Sequence, residues 1–125
     1  MTIEFSQNEM ERSQSDIEFE KEMEALDRIF PDANFTICIG LAELDTVISN
    51  DDVIVIKIDH ECYCYDQNPR KADIIVVYNK TGEGITNKDA IDSMIEYGYD
   101  PACNHVFFEG FKHVADCIFK TYFGS

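Results

Sequence analysis

Apolar residues recur along this chain with two different spacings. The spacing of three or four residues that is typical of an α-helix appears in two segments. A first helix is predicted by apolar residues three or four positions apart: Phe19, Met23, Leu26 and Phe30. Ser15 and Glu18 precede this stripe with the spacing of a capping box, and Pro31 ends the segment. The first helix is therefore expected to begin near Ser15 and to stop before Pro31.

A second helix is predicted over the segment "TNKDAIDSMIEYGYDP". Thr86 is a good N-cap, and Asp89 stands three residues later, as a capping box requires. Gly98 supplies a left-handed C-terminal residue, and Pro101 prevents the helix from continuing. The buried stripe of this helix is predicted to be Ala90, Ile91, Met94 and Ile95.

Elsewhere in the chain, apolar residues at every second position, or in an unbroken run, predict strands. The predicted strands cover residues 34–41, 52–58, 72–79, 105–114 and 117–125. The runs "DVIVIKI" and "ADIIVVYN" are apolar on both faces, which is typical of central strands. The last two strands are expected to form a hairpin turning near Ala115 and Asp116. Residues 43–50 suit either a helical turn or a strand, and a strand followed by a turn at Asn50 is favoured.

Together these elements predict an α+β fold. We expect an antiparallel or mixed sheet of about five to six strands with two helices packed on it. At 125 residues the chain has the length of one domain, expected over residues 13–125. Residues 1–12 are expected to form a flexible acidic tail.

The charge balance excludes several classes of partner. The chain has 25 acidic and 10 basic residues, a net charge of −15. Binding to nucleic acid or to anionic membranes depends on basic residues, so neither is expected. The acidic N-terminus is unlike a signal peptide, so the protein is expected inside the cell and not secreted. Its five cysteines are then expected to be free thiols.

Cysteines and histidines at alternate positions raise the question of a metal site. His60, Cys62 and Cys64 would project from one face of a strand, and Cys103 and His105 repeat that spacing. Thiolates and imidazoles are zinc ligands, but a Cys-x-Cys pair on a strand is unlike the usual zinc knuckle. The favoured interpretation is structural, with small half-buried cysteines and with His105 at a corner between a helix and a strand. No cofactor is therefore expected.

The same residues suggest a second alternative, an enzyme with a thiol nucleophile. Cys103 or Cys62 would act with His105 or His60 as the base. Such a thiolate needs positive surroundings, whereas this chain is strongly negative and should raise thiol pKa values. An enzyme built on these residues stays an alternative, and the preferred prediction is a protein without enzymatic activity.

The C-terminal third carries a distinctive pattern. The stretch "GEGITNKDAIDSMIEYGYDPACNHVFFEGF", with the end "YFGS", resembles a pattern in small uncharacterised proteins of giant DNA viruses of amoebae, of the mimivirus and marseillevirus kind. The shared features are Ile-Thr, a helix with "DAID" and "MI", Cys-Asn-His, and an aromatic strand. The resemblance covers residues 82–125. It implies a viral protein that acts in the cytoplasm or nucleus of the infected cell, or in the virion, and it implies no catalytic residue.

Aromatic residues exceed what one small core readily hides, which favours a role in binding. The residues expected at an interface are Tyr63, Tyr65, Tyr97, Tyr99, Phe108 and Tyr122. Strand edges offer a second route, by pairing of two chains across a two-fold axis. The predicted function is protein–protein interaction, including as a homodimer. A further alternative is an acidic decoy that imitates nucleic acid toward a basic partner.

Overall fold

A computed structural model of the chain describes residues 3–59, 71–101 and 105–124, with side chains from residue 16 onward. These residues form two α-helices, a short 3-10 helix and seven strands, which confirms the α+β class. In chain order they are α1 (Ile3–Ile29), β1 (Thr36–Ile37), the 3-10 helix (Leu41–Glu43), β2 (Val47–Ser49), β3 (Val53–Ile58), β4 (Asp73–Tyr78), β5 (Ile85–Thr86), α2 (Asn87–Tyr97), β6 (Phe107–Ala115) and β7 (Ile118–Gly124).

The chain divides into two compact units, residues 1–31 and 32–125. The first unit contains α1, which begins at Ile3, well before the predicted cap at Ser15. The predicted apolar stripe is buried at Leu26 and Phe30, whereas Phe19 is exposed. The predicted flexibility of residues 1–12 stays a prediction.

The second unit is built on a five-stranded mixed sheet in the order β1-β6-β7-β3-β4. β3 lies between β7, which is parallel to it, and β4, which is antiparallel. The prediction of a central strand is correct for β3 and wrong for β4, which ends the sheet among the described strands. β2 and β5 form a separate antiparallel pair, so the segment around Val47 is a strand, as predicted.

The local signals of α2 are confirmed. Thr86 accepts a hydrogen bond from the Asp89 amide, and the Thr86 amide donates to the Asp89 carboxylate at 2.9 Å. Gly98 ends the helix in the left-handed conformation, with φ 83°. Ala90 and Met94 are fully buried on the inward side of the helix.

β6 and β7 form the predicted antiparallel hairpin, with Ala115 opposite Ile118 across the turn. Asp116 occupies the turn with a positive φ of 42°, a conformation that Asp tolerates better than most residues. The imidazole of His113 is hydrogen-bonded to the Asp116 carbonyl oxygen, which fixes the end of the hairpin. This hairpin supplies two of the three strands that carry the charged row described below.

Candidate interaction surface

An apolar strip lies on the outward face of β4. Ile75 and Val77 point into the core, so the residues between and beside them point outward. Ile74, Val76 and Tyr78 are 50%, 44% and 62% exposed. Three large apolar side chains in alternate positions on the last described strand of a sheet make a surface suited to a protein partner.

A row of three lysines crosses the same face of the sheet. Ile74 on β4 is opposite Lys57 on β3, Lys57 is opposite Lys120 on β7, and Lys120 is opposite Lys112 on β6. Directly opposite residues share one face of a sheet, so these four side chains form a line across four strands. We call Ile74, Lys57, Lys120 and Lys112 the cross-strand row.

Asp59 balances part of this positive charge. Its carboxylate oxygens lie 3.7 Å from the Lys57 ammonium nitrogen and 2.9 Å from that of Lys120. The hydrogen bond from Lys120 is the main cause that holds the pKa of the Asp59 carboxyl below its usual value, and burial opposes it. Both lysine side chains remain 46% exposed. The row is thus a positive patch on a chain whose net charge is −15.

A groove separates β4 from α2. It has a volume of about 270 Å³ and is lined by Ile75, Val76, Tyr78, Lys80, Ser93, Glu96 and Tyr97. At one side, the Tyr97 hydroxyl donates to the Asp73 carboxylate at 2.8 Å. This bond ties the end of α2 to the first residue of β4 and thereby holds the apolar strip in place.

The six aromatic residues predicted at an interface differ in their environments. Tyr97 and Tyr122 are each half exposed. Tyr99 and Phe108 are buried, so the expectation that they are exposed is wrong. Tyr63 and Tyr65 lie outside the described residues.

An aromatic cluster explains why Tyr99 and Phe108 are buried. The ring of Phe35 lies 5.9 Å from that of Tyr99 and 6.1 Å from that of Phe108, both in edge-on arrangements. Phe123 contacts all three rings at centroid distances of 5.5 to 5.7 Å. Edge-on aromatic pairs at these distances stabilise a core beyond the area that they bury. Tyr99 and Phe108 therefore act in the fold and not on the surface.

The predicted metal ligands fall mostly outside the described part of the chain. His60, Cys62, Cys64 and Cys103 are in residues that the structure does not describe, and His105 lies half-buried just before β6. Within residues 3–59, 71–101 and 105–124, no group of three or more Cys, His, Asp or Glu residues could hold a metal ion.

Two cysteines of the described residues, Cys38 and Cys117, are free thiols. Cys38 is exposed beside β1, and its amide donates to the Phe108 carbonyl oxygen at 2.8 Å. Partial burial, and then the negative charge of Glu109, raise the pKa of the Cys38 thiol. A raised pKa keeps the sulfur protonated near neutral pH, which makes Cys38 a weak nucleophile.

Sequence reasoning missed the apolar strip and the cross-strand row. Residues 74–77 of this strand, "IIVV", contain no polar residue that could mark an outward face, so the sequence predicts that Val76 is buried. The three lysines stand at residues 57, 112 and 120, and only the strand order makes them neighbours. A signal was present in Lys57 and Lys120, because a lysine inside an apolar strand marks its solvent-facing side.

Comparison with known proteins identifies no relative of this chain, so its function has to be inferred from the surface. No protein-family model, curated protein or solved structure matches the chain. None of the described helices is both long and apolar enough to cross a membrane.

Proposed function

We propose that this chain is a small acidic protein of a giant DNA virus of amoebae that works by protein–protein interaction, as a homodimer without enzymatic activity, inside the infected cell. The observation that carries the proposal is the outward face of the sheet. There the apolar strip Ile74–Val76–Tyr78 lies beside exposed lysines, and Tyr122 adds a half-exposed ring. The resemblance of residues 82–125 to giant-virus proteins supports the viral setting.

Edge position and composition both favour association at this face. β4 is the last described strand of the sheet, and aromatic side chains are enriched at protein interfaces, so the exposed Tyr78 ring and the aliphatic side chains beside it favour association there. A second copy is the partner because two-fold association is the commonest way in which a small protein covers such a surface.

Sedimentation equilibrium of the full chain tests the proposal. We expect a mass twice that of the 14.4 kDa chain at micromolar concentration. V76E should raise the dissociation constant about tenfold or more, because it places an unpaired charge in the contact. V47E is the matched control, since Val47 is 45% exposed, close to the 44% of Val76, and lies on β2. A one-chain mass, or equal effects of both variants, would contradict the proposal.

Elemental analysis separates this proposal from the enzyme alternative. Protein purified without a chelator should contain no stoichiometric metal if the chain works by binding alone. One zinc ion per chain would instead favour a site built on His60, Cys62, Cys64, Cys103 and His105.

A further inference from the structure

The backbone of β4 directs one set of its hydrogen-bonding groups away from β3. The Asn79 amide donates to the Asp52 carbonyl oxygen at 2.9 Å, and these two residues continue the register of the β3–β4 pair. Hydrogen-bonded pairs alternate along an antiparallel ladder, so the odd-numbered residues of β4 bond to β3. The amides and carbonyl groups of Ile74, Val76 and Tyr78 therefore point to the other side, where no described strand lies.

The opposite neighbour of β3 leads to the same assignment. The Val55 amide donates to the Cys117 carbonyl oxygen at 2.8 Å, so the backbone of Val55 points towards β7 and away from β4. Val55 lies opposite Val76, which makes this a pair without hydrogen bonds between β3 and β4. In the described part of the chain, no hydrogen bond to the backbone of Ile74, Val76 or Tyr78 is present. These groups are available to a further strand.

The exposed stretch of β4 lacks the features that keep an edge strand from pairing. Proline, charged residues and β-bulges are the usual protections of an edge. Residues 74–78 include neither proline nor a charged residue, and β4 keeps one unbroken register with β3. By contrast, β6 is paired with β1 only at Phe107 and Phe108, and its longer open side carries Glu109, Lys112 and shifts of register against β7. β4 is therefore the edge suited to receive a strand.

From these observations we infer that the homodimer forms by antiparallel pairing of β4 with β4 of a second copy, across a two-fold axis at Val76. This inference rests on the proposed function and names the contact that produces it. An axis perpendicular to the sheet keeps every side chain on its own face, so the axis passes through a residue. Val76 then faces itself, and Ile74 faces Tyr78 of the second copy. The outward-pointing backbone groups form about six hydrogen bonds between the copies.

Side-chain chemistry selects this register over its nearest neighbours. With the axis at Val76, the three exposed apolar residues of each copy face only one another. An axis one residue earlier would place the Asp73 carboxylate opposite the buried Val77. An axis one residue later would place Lys80 opposite Ile74. Only the axis at Val76 therefore avoids setting a charged side chain against an apolar one.

The charges near β4 also favour this arrangement. Lys57 is opposite Ile74, two residues from the axis. With strands about 4.8 Å apart and a rise of about 3.4 Å per residue, the Lys57 residues of the two copies lie about 20 Å apart, beyond the Debye length of about 8 Å at physiological salt. The lysines make this face less negative than expected for a chain of net charge −15, so a second acidic copy meets less repulsion here. Added salt should strengthen association.

Charge variants of Val76 in the full-length protein test the inference, because a residue on the axis faces itself. V76E and V76K should each raise the dissociation constant about tenfold or more, since two like charges then meet. An equimolar mixture should form a heterodimer with a dissociation constant at least about tenfold below that of either variant, because opposite charges then meet. Sedimentation equilibrium and native mass spectrometry measure both effects, and far-UV circular dichroism should match that of the wild type.

Y78E and Y78K are the matched controls on the same strand and the same face. Tyr78 faces Ile74 of the second copy and lies about 14 Å from its own counterpart, so charges at this position do not meet. Both variants should weaken the dimer, and mixing them should not restore it. Hydrogen exchange followed by NMR supplies a second measurement. The amides of Ile74, Val76 and Tyr78 should exchange at least about tenfold more slowly in the dimer than in the single chain.

The outcomes separate this contact from the proposed function. A wild-type chain that stays monomeric would overturn both, and protected amides in that monomer would show that another segment of the chain covers β4. A wild-type dimer in which the V76E and V76K mixture associates no better than its components would overturn the strand pairing alone. A dimer without slower exchange at the three amides would do the same and leave the homodimer standing.

Discussion

Lys57 and Lys120 are cross-strand partners on the parallel strands β3 and β7, and both reach the carboxylate of Asp59. Two ammonium groups in adjacent strands repel each other, and the shared carboxylate offsets that repulsion. The distances, 2.9 Å to Lys120 and 3.7 Å to Lys57, make Lys120 the stronger partner. Asp59 thereby links two members of the cross-strand row.

The first prediction concerns the titration of Asp59. Its carboxyl pKa lies below the usual value, chiefly because Lys120 donates a hydrogen bond to it. K120M should therefore raise that pKa toward the ordinary value of about 3.9, and K57M should raise it less. The carboxyl carbon of Asp59, followed by NMR against pH, measures both changes.

The lowered pKa of the Asp59 carboxyl determines how the stability of the fold depends on pH. The ion pair stabilises the fold at pH values above the ordinary Asp pKa of about 3.9, and its contribution disappears as the pH falls through the lower folded-state pKa. K88M is a suitable control, since Lys88 pairs with Asp92 on α2 and should leave the titration of Asp59 unchanged. An unaltered Asp59 pKa in K120M would show that Lys120 is not the cause.

The second prediction concerns the contact between Gly84 and Val47. Gly84 has φ +113°, and a Cβ added there would lie 2.7 Å from Val47 Cγ1. G84A should lower the free energy of unfolding by about 2–4 kcal/mol, because it adds both backbone strain and a steric clash next to the β2–β5 pair. Urea denaturation followed by circular dichroism measures the loss.

Gly82 is the matched control for Gly84. It also has a positive φ, +77°, but a Cβ there would meet no atom within 4 Å. G82A should therefore lower the free energy of unfolding only by the cost of backbone strain, about 1 kcal/mol. Equal losses in the two variants would mean that the contact with Val47 contributes nothing.

Local sequence signals predicted the elements whose determinants lie close together in the chain. Thr86 and Asp89 are three residues apart, and the capping box that they form is present. The hairpin turn at Asp116 is equally local, since β6 and β7 follow one another directly. Helix caps and hairpins depend on neighbouring residues, so one sequence is sufficient to find them.

The candidate surface could not be predicted in the same way because it depends on strand order. Val76 shares the outward face of the sheet with Lys57 and Lys120, and only the pairing of the strands reveals this, because no local pattern encodes it. Similarly, Lys57 and Lys120 become neighbours only through a parallel pairing across more than sixty residues. Aromatic composition predicted exposure correctly for Tyr122 and wrongly for Phe108, because composition does not say which rings the core will use.

The third prediction concerns the reactivity of Cys38. Its thiol pKa is raised by partial burial and, secondly, by the charge of Glu109. E109Q removes that charge, so the pKa should fall and Cys38 should react faster with iodoacetamide at pH 8. Peptide mapping by mass spectrometry resolves Cys38 from the other cysteines. E83Q, in an exposed loop, should leave the rate unchanged, and an unchanged rate in E109Q would exclude a charge effect.

The fourth prediction concerns the capping box of α2. Thr86 Oγ1 accepts a hydrogen bond of 3.1 Å from the Asp89 amide, and Asp89 Oδ2 accepts one of 2.9 Å from the Thr86 amide. T86A removes the first bond and should lower the free energy of unfolding by about 1 kcal/mol. T86S keeps the hydroxyl and should stay within about 0.5 kcal/mol of wild type, which separates the cap from any effect of side-chain volume.

The second hydrogen bond of the capping box, from the Thr86 amide to the Asp89 carboxylate, allows the prediction to be tested with a double-mutant cycle. D89A removes the carboxylate that accepts from the Thr86 amide, so the two substitutions act on one pair of residues. The loss in T86A/D89A should differ from the sum of the single losses by about 0.5 kcal/mol or more, since residues in contact are not energetically independent. Strict additivity in urea denaturation would mean that the two bonds form separately, and that α2 begins without a cooperative cap.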